Sequence, residues 1–318
     1  MNRRKFIGTV AAGALISPIF AAAKASGFPM RRLGRTGLKV PILGFGSGSR
    51  FLMYQEEEQA IAALNHAIDL GITYIDTAHS YGDGKSEERV GRVMAQRRKE
   101  VVLATKIAAR TADGARRQIE LSLKRLNTDH LEVMHIHALK SLKDLEAIEA
   151  PGGVLEALYQ ARDQKVTRAI GITCHADPVA LQTALERHDF DCTQMALNAG
   201  RASMTDDMKL ASAGAASFER LALPVATRKH MGVIAMKVFG QEKLLGTAAP
   251  EQLFAYALSL PVSLASVGMP QLELIERNAT LAHAFTPMSR RDRDALVDSI
   301  AAGRKQAMSR FLRDHEDA

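Results

Sequence analysis

GITYIDTAHSYGDG, residues 71–84, carries the pattern that decides the fold. A glycine stop is followed by a short β-branched run, a polar residue at its end, and a loop bent by two glycines. In front of it, EEEQAIAALNHAIDL (56–70) has helical spacing, opens on acids as a helix dipole prefers, and stops at Gly71. Behind it a second helical pattern covers 86–97. The same unit then recurs as VVLATK (101–106) with a helix at 113–126, and as LEVMHIH (131–137) with a helix at 153–164. Outward from these, strands are predicted at 42–46, 168–172, 192–196, 232–236 and 262–267. Helices are predicted at 177–187, 217–230, 250–258 and 271–282, with a further one at about 289–312.

Eight strand–helix pairs without a composition break predict an α/β fold, a single (β/α)8 TIM barrel. An N-terminal β-hairpin, Arg31–Leu33 with Leu38–Val40 turned at 34–37, would plug its bottom, and a C-terminal extra helix would close the chain. A doubly wound open sheet is the alternative, and it needs a glycine-rich phosphate loop that opens a helix. Gly44-Phe45-Gly46-Ser47-Gly48 has no helical pattern directly behind it and reads as a turn.

The 318 residues are 47% apolar and 24% charged, an ordinary globular balance. Of the formal charge of +7, four units come from Arg3, Arg4, Lys5 and Lys24, leaving +3, which gives no reason to invoke nucleic acid. There is no zinc-type Cys/His spacing, so no metal is expected, and no P-loop. Cys174 follows one predicted strand and Cys192 begins the next, which places them at opposite ends of a parallel sheet, so no bridge is expected.

Residues 1–25 read as a targeting segment. Arg3-Arg4-Lys5-Phe6-Ile7-Gly8 precedes an apolar run from Thr9 to Ala23, and Ala23-Lys24-Ala25 offers a cleavage site. The paired arginines resemble a twin-arginine export signal. That resemblance implies export machinery as a partner, a periplasmic or otherwise exported location, and residues 26–318 as the barrel. A retained membrane anchor is the competing reading, for which the run is shorter than the roughly 20 residues of a span.

In a barrel the loops after the strands form the active face. Asp76, Lys106 and His137 end the second, third and fourth strands, and Tyr81 follows Asp76 on the loop bent at Gly82-Asp83-Gly84. A phenol titrates near 10, and an ammonium within about 4–6 Å pulls that value down. Lys106 would do so, held by Asp76, while His137 donates to the carbonyl oxygen that Tyr81 protonates. His135 shares the face of His137 one step deeper and reads as core lining. His79 reads as a solvated loop histidine.

GITYIDTAHSYG resembles the first aldo-keto reductase signature, and SLKRLNTDHLEVMHIH (122–137) resembles the second. The resemblance covers residues 30 to about 285. It implies reduction of a small-molecule aldehyde or ketone by NAD(P)(H), with Tyr81 as general acid, Lys106 and Asp76 tuning it, and His137 orienting the carbonyl. The carboxamide pair, usually Ser-Asn, becomes Thr173-Cys174, while the expected glutamine stands at Gln194. The stacking tyrosine and following serine become Met236-Lys237. SVGMPQLELIERN (266–278) resembles the last cofactor segment, implying Gly268, Arg277 and Asn278 as contacts. The arginine that commonly clamps the 2′-phosphate falls at Leu274. NADP(H) is expected over NAD(H) on family habit. A barrel that binds a nucleotide with little turnover, serving as a sensor or accessory subunit, is the competing reading. The loops 138–152 and 199–218 would shape the substrate pocket, with Arg201–Glu219 either a flap or a short helix.

Overall fold

The structure is a computed structural model that describes residues 28–205, 209–211 and 216–314. The expected export signal lies outside the described residues. The chain opens with a hairpin, β1 (Met30–Arg32) antiparallel to β2 (Lys39–Pro41). The barrel strands are β3 (Leu43–Gly46), β4 (Tyr74–Asp76), β5 (Val102–Ile107), β6 (Leu131–Ile136), β7 (Thr167–Cys174), β8 (Cys192–Ala196), β11 (Gly232–Met236) and β12 (Leu264–Val267). They pair in parallel in that order, and β12 returns to β3 to close the barrel.

Helices α1 (Glu57–Asp69), α2 (Lys85–Arg97), α3 (Ala112–Arg125), α5 (Val154–Asp163), α6 (Pro178–Arg187), α7 (Ala222–Arg228), α8 (Pro250–Leu258) and α9 (Leu272–His283) follow successive barrel strands. α10 (Arg290–Asp314) closes the described chain. The first glycine cluster is a turn, as expected: β3 ends at Gly46 and α1 begins only at Glu57.

Three stretches differ from the sequence expectation. The segment 138–152 contains α4 (Leu142–Glu149), capped by Ser141, whose hydroxyl accepts from the Asp144 amide, and burying Leu145 and Ile148. The segment after β8 holds a short antiparallel ribbon, β9 (Ser203–Met204) with β10 (Leu210–Ala211), and no helix among its described residues. The helix expected over 217–230 begins at Ala222, because Pro224 is tolerated only in a first turn.

Side chains alternate along the strands between the barrel interior and the helix layer. The lower interior layer is apolar. Tyr74, Ala104, Val133, Ala169, Cys192, Ile234 and Leu264 pack with Leu33, Leu38 and Val40, so the hairpin does plug the bottom. The plug fits because Gly34, at φ +51, lies against β11. A Cβ there would sit 2.1 Å from the Gly232 amide nitrogen. Both cysteines are free and buried.

Candidate active site

Two residues above the apolar layer, the same inward positions turn polar: Asp76 on β4, Lys106 on β5, His135 on β6, Gln194 on β8 and Ser266 on β12. Asp76 and Lys106 are almost fully buried, and Lys106 Nζ donates to Asp76 Oδ1 at 2.6 Å and to the Thr77 carbonyl at 2.7 Å. The second carboxylate oxygen accepts from Gln194 Nε2 at 2.7 Å and Ser266 Oγ at 3.0 Å. A charge pair so far from water persists because every oxygen of the acid is bonded.

Tyr81 leans over this pair. Its ring centroid is 5.0 Å from Lys106 Nζ, so the ammonium lies over the ring, and the ring rests on Gly48, where a Cβ would meet it at 3.4 Å. The His137 ring meets it edge to face at 5.4 Å, and His137 Nδ1 lies 3.3 Å from the Ser80 hydroxyl. The structure therefore brings Asp76, Tyr81, Lys106 and His137 to one corner of the barrel mouth.

The electrostatics differ from expectation in one respect. Burial pushes the Tyr81 phenol up and Lys106 pulls it down, yet the net value stays above 10. Burial works against the Lys106 charge, but Asp76 and Tyr81 more than offset it, so the ammonium is held above its ordinary range. Burial, with Lys106, His175 and Arg110 nearby, drives His137 well below 6.5. It is neutral at ordinary pH, a hydrogen-bonding group and not a charge. His135 is core, as its position implies, driven down to about 3 by burial with neither ring nitrogen hydrogen-bonded. His79 is not solvated: it turns back toward Ser122 and Glu87, away from the mouth.

Beside this corner opens a cleft of about 420 Å³. Asp76, Tyr81, Gln194, Met236, Lys237, Ser266 and Gly268 line it, with Arg50, Phe239, Gln241 and Glu242 among the rest. Of the expected cofactor residues, Gln194, Met236, Lys237 and Gly268 line this cleft. Thr173 is buried beside the corner, accepting from the Ala138 amide at 2.8 Å. Cys174 is not in the cleft. One residue on from Thr173, its side chain enters the helix layer, where Sγ donates to the carbonyls of Leu139 and Asp177. Arg277 is exposed on α9 and pairs with Glu251 at 2.8 Å, while Asn278 is buried on the same helix; neither lines the cleft.

Sequence reasoning missed Ser266 and Arg50. Ser266 was legible as the inward position two residues after Leu264. Arg50 sits on the loop after β3, the same active face as the residues singled out. It reaches across to Glu242 at 2.8 Å, joining the loops after β3 and β11. The latter loop holds Lys237, Gln241 and Glu242 at positive φ, with Gly240 among them. Burial lowers Lys237 to about 8, helped by Lys106 and Arg50. Cations gathered in a desolvated cleft suit an anionic guest.

The cleft fits a nicotinamide nucleotide. Gln194 Oε1 is buried without a hydrogen-bond partner, an acceptor suited to an amide donor. Gly46 and Gly268 keep one wall open: a Cβ on Gly46 would come within 3.2 Å of the Gly268 amide nitrogen. Arg50 and Lys237 bring positive charge to the same cleft.

Known proteins agree with this architecture. The sequence pattern of the aldo/keto reductase family matches residues 42–253, and the chain belongs to that family. It is 26% identical over 270 residues to pyridoxal 4-dehydrogenase of Microbacterium luteolum, covering 71% of this chain and 75% of that protein. It is 34% identical over 158 residues to L-galactose dehydrogenase of Arabidopsis thaliana, covering 45% of this chain and 48% of that one. The chain thus matches about half the length of several curated relatives. Among solved structures, aldo-keto reductase AKR11C1 of Bacillus halodurans in its holo form superposes with a TM-score of 0.70 at 21% identity, over 86% of this chain and 96% of that one. An aldo-keto reductase of Klebsiella pneumoniae in complex with NADPH gives 0.67 at 24%, over 85% and 94%.

Proposed function

We propose that the protein reduces an aldehyde or ketone with NADP(H), the nucleotide carried by the Klebsiella relative. The observation that carries this reading is the buried Asp76–Lys106 pair with Tyr81 over its ammonium, beside a cleft large enough for a dinucleotide's reacting end. When bound, the reduced nicotinamide supplies a hydride. Gln194 would hold its carboxamide, Met236 would cover the ring, and Lys237 with Arg50 would hold the phosphates.

The chain's own residues then handle the carbonyl oxygen. The Tyr81 hydroxyl donates to it, and a value above 10 keeps the proton on the phenol until the oxygen becomes basic enough to take it. Lys106, held by Asp76 and Thr77 with its ammonium over the Tyr81 ring, stabilises the phenolate left behind. Neutral His137 supplies a second donor without a competing charge. The arrangement is preorganised, since no side chain must give up a bond to act.

NADPH consumption over a panel of small aldehydes and ketones tests this. Tyr81→Phe should lower kcat on the order of 10²- to 10⁴-fold while nucleotide affinity stays within about threefold. Wild-type turnover by that variant would sink the reading. Export is proposed as well, supported by Arg3-Arg4 and the apolar run behind them. Replacing both arginines with lysine should retain the protein in the cytoplasm on fractionation, and unchanged release would refute it.

A further inference from the structure

Tyr81 stands on a loop whose conformation the loop does not hold by itself. Its first half is pinned to β5, with the Thr77 amide bonded to the Ala104 carbonyl and the His79 amide to the Lys106 carbonyl. Its second half passes through three left-handed residues in a row, Gly82 (φ 59), Asp83 (φ 55) and Gly84 (φ 101). An aspartate in that region persists only where its surroundings dictate it.

One side chain meets both halves. Arg125, the last residue of α3, donates through Nη1 to the His79 carbonyl at 3.3 Å and through Nη2 to the Asp83 carbonyl at 3.0 Å. These carbonyls lie two residues before and two residues after Tyr81. The guanidinium lies flat over Gly84, where a Cβ would fall 2.1 Å from Cζ, so the glycine and the arginine require each other. Behind it is Glu87, wholly buried on α2, with Oε2 3.6 Å from Nη1. Glu87 Oε1 accepts from Thr105 at 2.7 Å, and Thr105 is the residue before Lys106. The carboxylate that balances Arg125 is thus tied to the strand that carries the lysine.

We propose that Arg125 is a positioning residue for the reaction, setting the placement of the Tyr81 hydroxyl by bridging the two carbonyls that flank it. A guanidinium can bridge them because it is a rigid fork; an ammonium is a single point. The proposal rests on the reading of Tyr81 as proton donor, and the test separates the two.

The test compares wild type with Arg125→Lys, Arg125→Met, Tyr81→Phe and the Tyr81→Phe/Arg125→Met pair, reading kcat, carbonyl KM and NADPH affinity. Each Arg125 variant should lose on the order of 10- to 100-fold in kcat, with KM and NADPH affinity within about threefold. In the double variant the Arg125 change should cost nothing beyond Tyr81→Phe, because it acts only through the phenol. Losses that multiply in the double variant, or that fall on KM and nucleotide affinity, would mark a general structural role and overturn the proposal. Should Arg125→Met not fold, Arg125→Lys keeps a cation beside Glu87 and decides alone: a folded variant with wild-type kcat refutes the bridge. Inactive Tyr81→Phe beside fully active Arg125→Lys sinks the bridge only. Active Tyr81→Phe sinks the donor reading and the bridge with it.

Discussion

The two sides of the barrel mouth are built to opposite rules. At the β4–β5 corner the charges are fully engaged: Asp76 accepts from Lys106, Gln194 and Ser266, and Lys106 donates to Asp76 and to the Thr77 carbonyl. On the β8–β11–β12 side, Gln194 keeps a buried oxygen unbonded, Gly268 leaves a wall bare, and Lys237 gives up much of its basicity to sit near two other cations. The first side has the rigidity that proton transfer requires. The second keeps a buried acceptor unbonded and gathers positive charge beside a bare wall, which is what a site for a guest requires.

Asp76→Leu should break the first side hardest. It leaves a buried ammonium without its partner, a loss of about 3–5 kcal/mol on denaturant unfolding. Lys106 titrates above its unfolded value, so its stabilising contribution is whole below about pH 10.5. It fades only as pH rises through the higher folded value. In the variant, burial acts on Lys106 without the Asp76 charge to offset it and lowers its folded value, so the variant regains stability as pH rises toward 10.5 and the deficit narrows; a deficit that stays flat from pH 6 to 10 would contradict the pairing.

Lys237 should behave in the opposite sense. Its folded value of about 8 lies below its unfolded one, so the nucleotide-free protein should gain stability from Lys237 as pH rises from about 8 toward 10.5. Nucleotide affinity should run the other way, weakening above pH 8 as the cation is lost. Lys237→Met should lower affinity about tenfold at pH 7, the value of one charge-assisted hydrogen bond, and flatten that pH dependence by calorimetry. An unchanged slope would remove Lys237 from the phosphate site.

The smallest effects sharpen the contrast. Cys174→Ala and Arg277→Ala should each change NADPH affinity by less than about threefold, since one thiol faces the helix layer and the guanidinium is engaged by Glu251 in solvent. A tenfold loss in either would redraw the cleft.

Much of this was legible in the chain. The spans of β6, β8 and β11 coincide with their sequence patterns, because a short apolar run bounded by turn residues has few alternatives. Asp76, Lys106 and His137 were legible for the same reason, since a strand end in a barrel is already an address, and Tyr81 follows on the loop from one of them. Cys174 shows the limit of reading by resemblance. The two-residue period puts Thr173 inward and Cys174 outward, and that parity outweighs the family's usual pair. α4 was visible in Ser141 and its three-residue apolar spacing but lay hidden beside Pro151-Gly152-Gly153.

The sequence alone determined the strand–helix order and the inward faces of the strands, because periodicity and turn chemistry are local. The sign of the Tyr81 shift, the reach of Arg125 to carbonyls some 40 residues earlier, and the diversion of Arg277 to Glu251 were decided only by the tertiary structure. Each depends on how much water is excluded and on what lies across a gap, quantities set when distant segments pack.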